Sequence, residues 1–170
     1  MLKPVALFIN GVFDTVLQEI LEVQSVLPEQ IMFLQPFSGS AMTVLRDDPP
    51  AIDAPMRLFV SITIDLANVH YEAEIVGWED KRTMPEAKKQ VVKRLIDLLQ
   101  PDEGGLYDAS KGGTGESVNL LYVRRLRKLE PPFSVSQLQK VRGGEPLSTG
   151  RTTAGGWSYV QPEMLAQAAT

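Results

Sequence analysis

Two stretches of this chain carry the residue types that cradle phosphate. "SKGGTGES" (110–117) and "GRTTAGGWSYV" (150–160) put glycines beside hydroxyl and basic side chains. A phosphate loop needs those glycines after a strand, then Lys-Ser/Thr opening a helix, so that backbone amides and the helix dipole meet the anion. In the first stretch Lys111 precedes the glycines, in the second no lysine holds that place, and strand-like residues follow both. Neither is a Walker A motif, and the glycines read as turns. His70 is the one histidine, on the polar side of an alternating segment with Glu72 and Glu74, and there is no cysteine. Thiolate nucleophiles, disulfides and cysteine zinc sites are excluded, and a single histidine does not make a structural zinc centre. No nucleophile-elbow pattern supports Ser/His/Asp catalysis. No resident metal or cofactor is expected.

One carboxylate arrangement has chemical spacing. "WEDKR" (78–82) holds Glu79-x-Lys81, and Asp65 stands at the end of the neighbouring apolar run. An Asp and a Glu-x-Lys on adjacent strands resemble the metal-binding core of PD-(D/E)xK nucleases, which implies carboxylates on a divalent metal and a lysine on the attacked phosphate. Against this, Arg82-Thr83-Met84-Pro85 follow at once, placing Glu79 and Lys81 in a turn with surface salt bridges. The nuclease is carried as an alternative, with Asp65, Glu79 and Lys81 as its residues.

The elements that would position these residues form an α+β pattern. "PVALFI" (4–9) is a short apolar run closed by Asn10-Gly11, a buried strand entering a turn. Phe13, Val16, Leu17, Ile20 and Leu21 recur at helical spacing and predict a helix over 12–24. "EQIMFLQPFSGS" reads as a strand ending at Pro36, and "AMTVLRDDPPAIDAP" as a short element followed by a proline-rich connection. "MRLFVSITI" (56–64) and the alternating "VHYEAEIVGW" (69–78) predict a hairpin. "MPEAKKQVVKRLIDLLQ" predicts a helix over 85–100 with Val92, Leu95, Ile96 and Leu99 on one stripe. "VNLLYVRRL" reads as a strand, "PFSVSQLQKV" as a short helix with Ser134 and Gln137 at capping-box spacing, "WSYV" as a last strand and "QPEMLAQAA" as a helical end.

No repeat or linker divides the 170 residues, so one domain over 1–170 is expected. The run 4–9 is too short for a signal peptide, and no apolar stretch approaches the roughly 18 residues that span a bilayer. A cytoplasmic protein with no membrane contact is the default. Net charge is −4 but unevenly spread: through residue 80 three basic residues face twelve acidic ones, and from Lys81 onward fourteen face nine. Such asymmetry suggests one basic face. Arg124 and Arg125, adjacent on a strand, are expected on opposite faces.

In order and kind these elements resemble the PUA-like superfamily, the small barrels that include the EVE, ASCH and YTH groups. "ALFING" leads into a helix. "RLFVSITI…VHYEAEIVGWED" is similar to the paired barrel strands of the family, and "NLLYVRRLRKLEPPFSVSQLQK" to its late strand, proline and short helix. A helix-and-loop insertion at about 80–117 departs from the pattern. The resemblance implies a curved, mostly antiparallel β-barrel with helices packed outside. It also implies a non-catalytic module that binds DNA, RNA or a modified nucleotide, holding a flipped base against aromatic faces. Candidate walls are Asn10, Phe13, Phe37, Ser38, Trp78, Trp157 and Tyr159, with Arg151 and Thr152 from the same loop as Trp157. Phosphate contacts would come from Arg125, Arg127, Lys128, Lys140 and Arg142. An accessory protein-interaction subunit of a defence or restriction system, with a protein partner, is a further alternative.

Overall fold

The computed structural model describes residues 2–36, 38, 40–103, 106 and 117–162. In chain order the elements are β1 (Ala6–Val12), α1 (Asp14–Val26), β2 (Met32–Leu34), α2 (Thr43–Asp47), β3 (Met56–Ile62), β4 (Asp65–Asp80), α3 (Glu86–Leu99), β5 (Asn119–Ser134) and β6 (Trp157–Val160), with 3-10 turns at Pro101–Glu103 and Val135–Gln137. The strands make one six-stranded sheet ordered β2-β5-β4-β3-β1-β6. Only β1 and β3 run parallel, with α1 in the connection between them; every other neighbouring pair is antiparallel. The chain is therefore α+β. Among the described residues no helix is long and apolar enough to cross a membrane.

The alternating residues sort onto two faces, as the pleat requires. Leu7 and Ile9 of β1, Leu58 and Val60 of β3, and Tyr71, Ala73 and Ile75 of β4 join the main core, where Val16, Leu17 and Ile20 of α1 and Leu45 of α2 pack. Ala6, Phe8 and Phe59 face the other way into a smaller core with Val135, Leu138 and Leu147. The stripe of α3 docks Val92 and Ile96 on Phe33 and Leu120, so the segment after residue 80 covers the sheet beside β2 and β5. Expected elements differ in detail. The capping box at Ser134 reduces to one turn in which Ser134 Oγ accepts from the Ser136 amide at 3.2 Å. The helical end proposed after Gln161 falls mainly on 163–170, outside the described residues.

The sheet does not close into a barrel, and the expected closure is corrected by what occupies its two edges. At β2, Phe33 N–H donates to Gln100 Oε1 at 2.7 Å and Phe33 O accepts from Gln100 Nε2 at 2.8 Å. One side-chain amide thus replaces a neighbouring strand. At β6 the outer backbone groups bond to the 139–141 segment, through Val141 N–H to Tyr159 O at 3.1 Å and Gln161 N–H to Gln139 O at 3.0 Å. Edge groups satisfied in this way have no need of each other. Residues 42–44 span the gap on the main-core side: the Met42 amide donates to Asn119 Oδ1 at 2.9 Å and the Val44 amide to Tyr159 Oη at 3.2 Å.

Gln100 is fully buried. Its replacement by alanine orphans a buried N–H and a buried C=O, each costing about 1–3 kcal/mol. The expected outcome is a denaturant midpoint lowered to match with an unchanged slope; an unchanged midpoint would disprove the edge-capping role.

Candidate functional site

A cleft of about 290 Å³ opens at the carboxyl end of β1. One wall is Ile9–Phe13 with Val16 of α1, a second is Leu34–Pro36, a third is Ala154–Gly156, and Thr63, Asp102 and Glu103 complete it. Its position follows from the parallel β1–α1–β3 unit, whose strand ends and helix start face the same side. Asp14 Oδ1 accepts from the Tyr71 hydroxyl at 2.6 Å, fixing the start of α1 over β4.

The third wall is held by Asn10. Its Nδ2 donates to Thr153 O and to Gly155 O, both at 3.0 Å, and its Oδ1 accepts from Ser61 Oγ at 3.3 Å. Two backbone bonds add to these: Asn10 N–H to Gly156 O at 3.0 Å and Gly155 N–H to Asn10 O at 2.7 Å. Gly11 has φ +80°, and a Cβ there would stand 2.6 Å from the Ala154 Cβ. Only glycine lets the loop lie this close to β1.

The floor is polar and buried. Lys81, 2% exposed, donates through Nζ to Gln35 Oε1 at 2.8 Å, and Gln35 Nε2 donates to Glu103 Oε1 at 3.2 Å. Burial pushes the Glu103 carboxyl up from 4.5 to about 8, against the opposing pull of the Gln35 bond and the Lys81 charge. Burial thus favours the neutral form of Glu103. The rim is apolar: Phe13 is 63% exposed. The Thr63 amide donates to Val12 O at 3.1 Å, setting the β3–β4 turn, with exposed Ile64, beside it.

Of the residues expected to contact ligand, Asn10 and Phe13 come together here. Asn10 spends both side-chain N–H groups on loop carbonyls, so it builds the wall. Trp78, Trp157 and Tyr159 are elsewhere, partly buried against the main core. Trp78 Nε1 donates to Asn119 Oδ1 at 2.9 Å, and Trp157 and Tyr159 meet edge to face at 5.0 Å, so these rings grip the 42–44 segment. Ser38 turns its hydroxyl to Ser40 O at 2.9 Å, and Phe37 lies outside the described residues. Arg151 sits over the Phe8 ring at 5.2 Å, on the face opposite the cleft, and Thr152 is exposed.

The basic residues of β5 meet the acidic residues of β4. Register sets Glu72 opposite Arg127 and Glu74 opposite Arg124. Arg127 pairs with Glu72, Arg124 Nε donates to Glu74 at 2.8 Å, and Lys128 lies 3.9 Å from Glu130. Arg125 adopts φ 55° where the ladder slips, and reaches both Glu29 at 3.3 Å and Glu74 at 3.7 Å. The opposite-face expectation for Arg124 and Arg125 fails at this bulge, because one irregular residue suspends the alternation. Lys140 and Arg142 lie on the separate turn that covers the β6 edge.

Asp65, Glu79 and Lys81 do not form a metal core. Asp65 opens β4 and accepts from His70 Nε2 at 2.7 Å, while Glu79 stands near the far end of the same strand beside Lys88 and Tyr122. Roughly 45 Å of strand contour separates them at about 3.3 Å per residue. Lys81 turns inward to the cleft floor. Among the described residues no group of three His, Asp or Glu side chains stands together to hold a metal ion. Sequence reasoning missed Gln35 and Glu103, which carry no periodic or motif signal. Comparison with protein-family models, with curated proteins and with solved structures yields no match.

Two outcomes are expected. Asn10→Ala frees the 153–156 wall: stability falls by about 1–3 kcal/mol, and amide exchange at Gly155 quickens; a slow Gly155 amide in the variant would count against the wall-building role. The second concerns pH. Because the folded chain holds the Glu103 proton up to about 8 while the unfolded chain releases it near 4.5, this group's stabilisation is full below 4.5 and is lost as pH rises through 8. Glu103→Gln should flatten that decline in urea midpoints between about pH 4.5 and 8.

Proposed function

We propose that the chain is a non-catalytic binding module of the PUA-like kind, an opened version of that barrel acting in the cytoplasm, whose cleft takes a nucleobase or modified base presented by a nucleotide or single strand. The observation that carries this reading is the cleft itself. Its 290 Å³ lies at the small end of ligand sites, the scale of one ring system. Its walls are mostly apolar, its floor offers a few fixed polar groups, and among the described residues no Lys, Arg or His lines it. That composition suits an uncharged planar group and disfavours a phosphate inside the cleft. Phe13 at the rim is placed to stack on such a ring.

Phosphates of a bound strand are then met outside the cleft. Arg125 and Arg127 are committed to Glu29, Glu74 and Glu72, so their contribution is small. Lys140, Arg142 and Arg151, along the 140–151 segment next to the cleft-wall loop, take that role in this reading.

Titration with nucleosides and short single-stranded oligonucleotides, followed by amide shifts, tests it. Perturbed amides should cluster at Gly11–Phe13 and Gly155–Gly156. Phe13→Ala should weaken binding by about 1–3 kcal/mol, the worth of one base–aromatic stack. It should leave the unfolding midpoint nearly unchanged, since that ring is mostly exposed. Perturbations confined to Trp78 and Tyr159, or none anywhere, would refute the assignment.

A further inference from the structure

We propose that Arg151 receives one particular phosphate, the one joined to the sugar of the base held in the cleft, and grips it through the Nη edge of its guanidinium. The ligand is then a nucleotide or strand, and a free nucleoside is the weaker ligand. The inference rests on the base-binding reading and adds the phosphate side of the same site.

Arg151 stands apart from the other arginines. Among the described residues Arg46, Arg57, Arg82, Arg124, Arg125 and Arg127 each pair with a carboxylate, and Arg94 and Arg142 are exposed to water. Arg151 is half-buried, and among the described residues no carboxylate pairs with it. Its guanidinium lies over the fully buried Phe8 ring at 5.2 Å, and its Nε donates to Ser148 O at 3.0 Å. Both Nη groups are left without a partner among the described residues. The turn that aims them is fixed, because Ser148 Oγ accepts from the Gly150 amide at 3.1 Å. Glu145, the one carboxylate in the 140–151 segment, lies beside Gly143 instead. Burial lowers the pKa of Arg151, and no opposite charge offsets it. A guanidinium taken out of water without an anion is unfavourable, and an anion on its open edge removes that penalty.

Contacts along β1 place this edge within one nucleotide's reach of the cleft. Arg151 lies at Phe8, Thr153 and Gly155 bond to Asn10, and Ala154 stands against Gly11. Phe8 and Gly11 are three residues apart, roughly 10 Å of strand. The loop is thus a partition, with the cleft against Ala154–Gly156 and Arg151 at its other end. Thr152, Thr153 and Ala154 form an exposed crest between the two. A sugar leaving the cleft over that crest brings its phosphate to the guanidinium. The planar fork of an arginine meets two phosphate oxygens at once, which the point charge of a lysine does not. Lys140 and Arg142 are then left for the following phosphates of a strand.

The test is titration of the full chain with the four ribonucleosides and their 3′- and 5′-monophosphates, followed by amide shifts. Inorganic phosphate alone is the arm that reads an anion without a base. For a base that binds, one monophosphate should bind about tenfold or more tighter than its nucleoside, the yield of one charge-assisted bidentate contact. It should shift the Arg151 and Thr152 amides together with those of Gly155–Gly156, whereas inorganic phosphate should bind more weakly and shift the first pair alone. Arg151→Lys keeps the charge and loses the fork, so the monophosphate should fall back toward the affinity of its nucleoside. Arg151→Ala loses the charge as well, and should lower the slope of log K against log salt for a short single strand by about 0.7. Arg94→Gln, an exposed cation of α3, should change neither. If Arg151→Ala does not fold, Arg151→Lys decides alone. Monophosphates no tighter than nucleosides, or wild-type affinity in Arg151→Lys, overturns this inference and leaves base binding standing. No shift of any cleft amide with any of these ligands overturns both.

Discussion

A buried primary amide has two hydrogens and one oxygen to satisfy, and Asn10 satisfies all three on groups far away in sequence. Thr153 and Gly155 take its hydrogens and Ser61 supplies a hydroxyl to its oxygen. This is the constraint on which the cleft depends. It ties the loop before β6 to β1 and registers β1 against β3 through the same residue. Gly11, next in the chain, then has to forgo a side chain because Ala154 occupies the space. The wall is rigid because its polar atoms are spent, and a residue spent in this way does not read ligand. The other walls of the cleft are Phe13 at the rim and the Gln35–Glu103 pair below.

The charge pattern has a similar resolution. An acidic first half and a basic second half suggest opposed faces when read along the chain. Antiparallel pairing of β4 with β5 instead lays the two halves side by side, with Glu72 and Glu74 against Arg127 and Arg124. The field that the linear sequence suggests is largely cancelled within one face of the sheet. Such partly exposed pairs contribute little stability singly. Their larger effect is to neutralise a surface that would otherwise attract polyanions.

How much of this was legible beforehand depends on the range of the signal. Helices α1 and α3 declare themselves through their apolar stripes, and the β3–β4 hairpin through alternation, because both are local periodicities. Asn10 and Phe13 were legible as residues at a strand-to-helix junction, which is where the cleft lies. The open sheet was not, since its closure turns on Gln100, one polar residue after a helix. Arg125 misled because alternation holds only without a bulge. Trp78, Trp157 and Tyr159 drew attention as large aromatics near turns, yet they serve the 42–44 crossing. Glu103 follows a helix in an acidic run and looks like a solvated turn; only the arrival of Lys81 and Gln35 from distant segments buries it.

The side chain that stands in for a missing strand at β2 also bears on how the chain assembles. Phe33 and Gln100 are 67 positions apart, and among the described residues Gln100 is the outer partner that Phe33 has at β2. Closing a loop of that size costs entropy that no local contact repays. Pairing at this edge therefore depends on the α3 segment that carries Gln100. The same segment brings Glu103 to Gln35, so the edge of the sheet and the polar floor of the cleft share one anchorage.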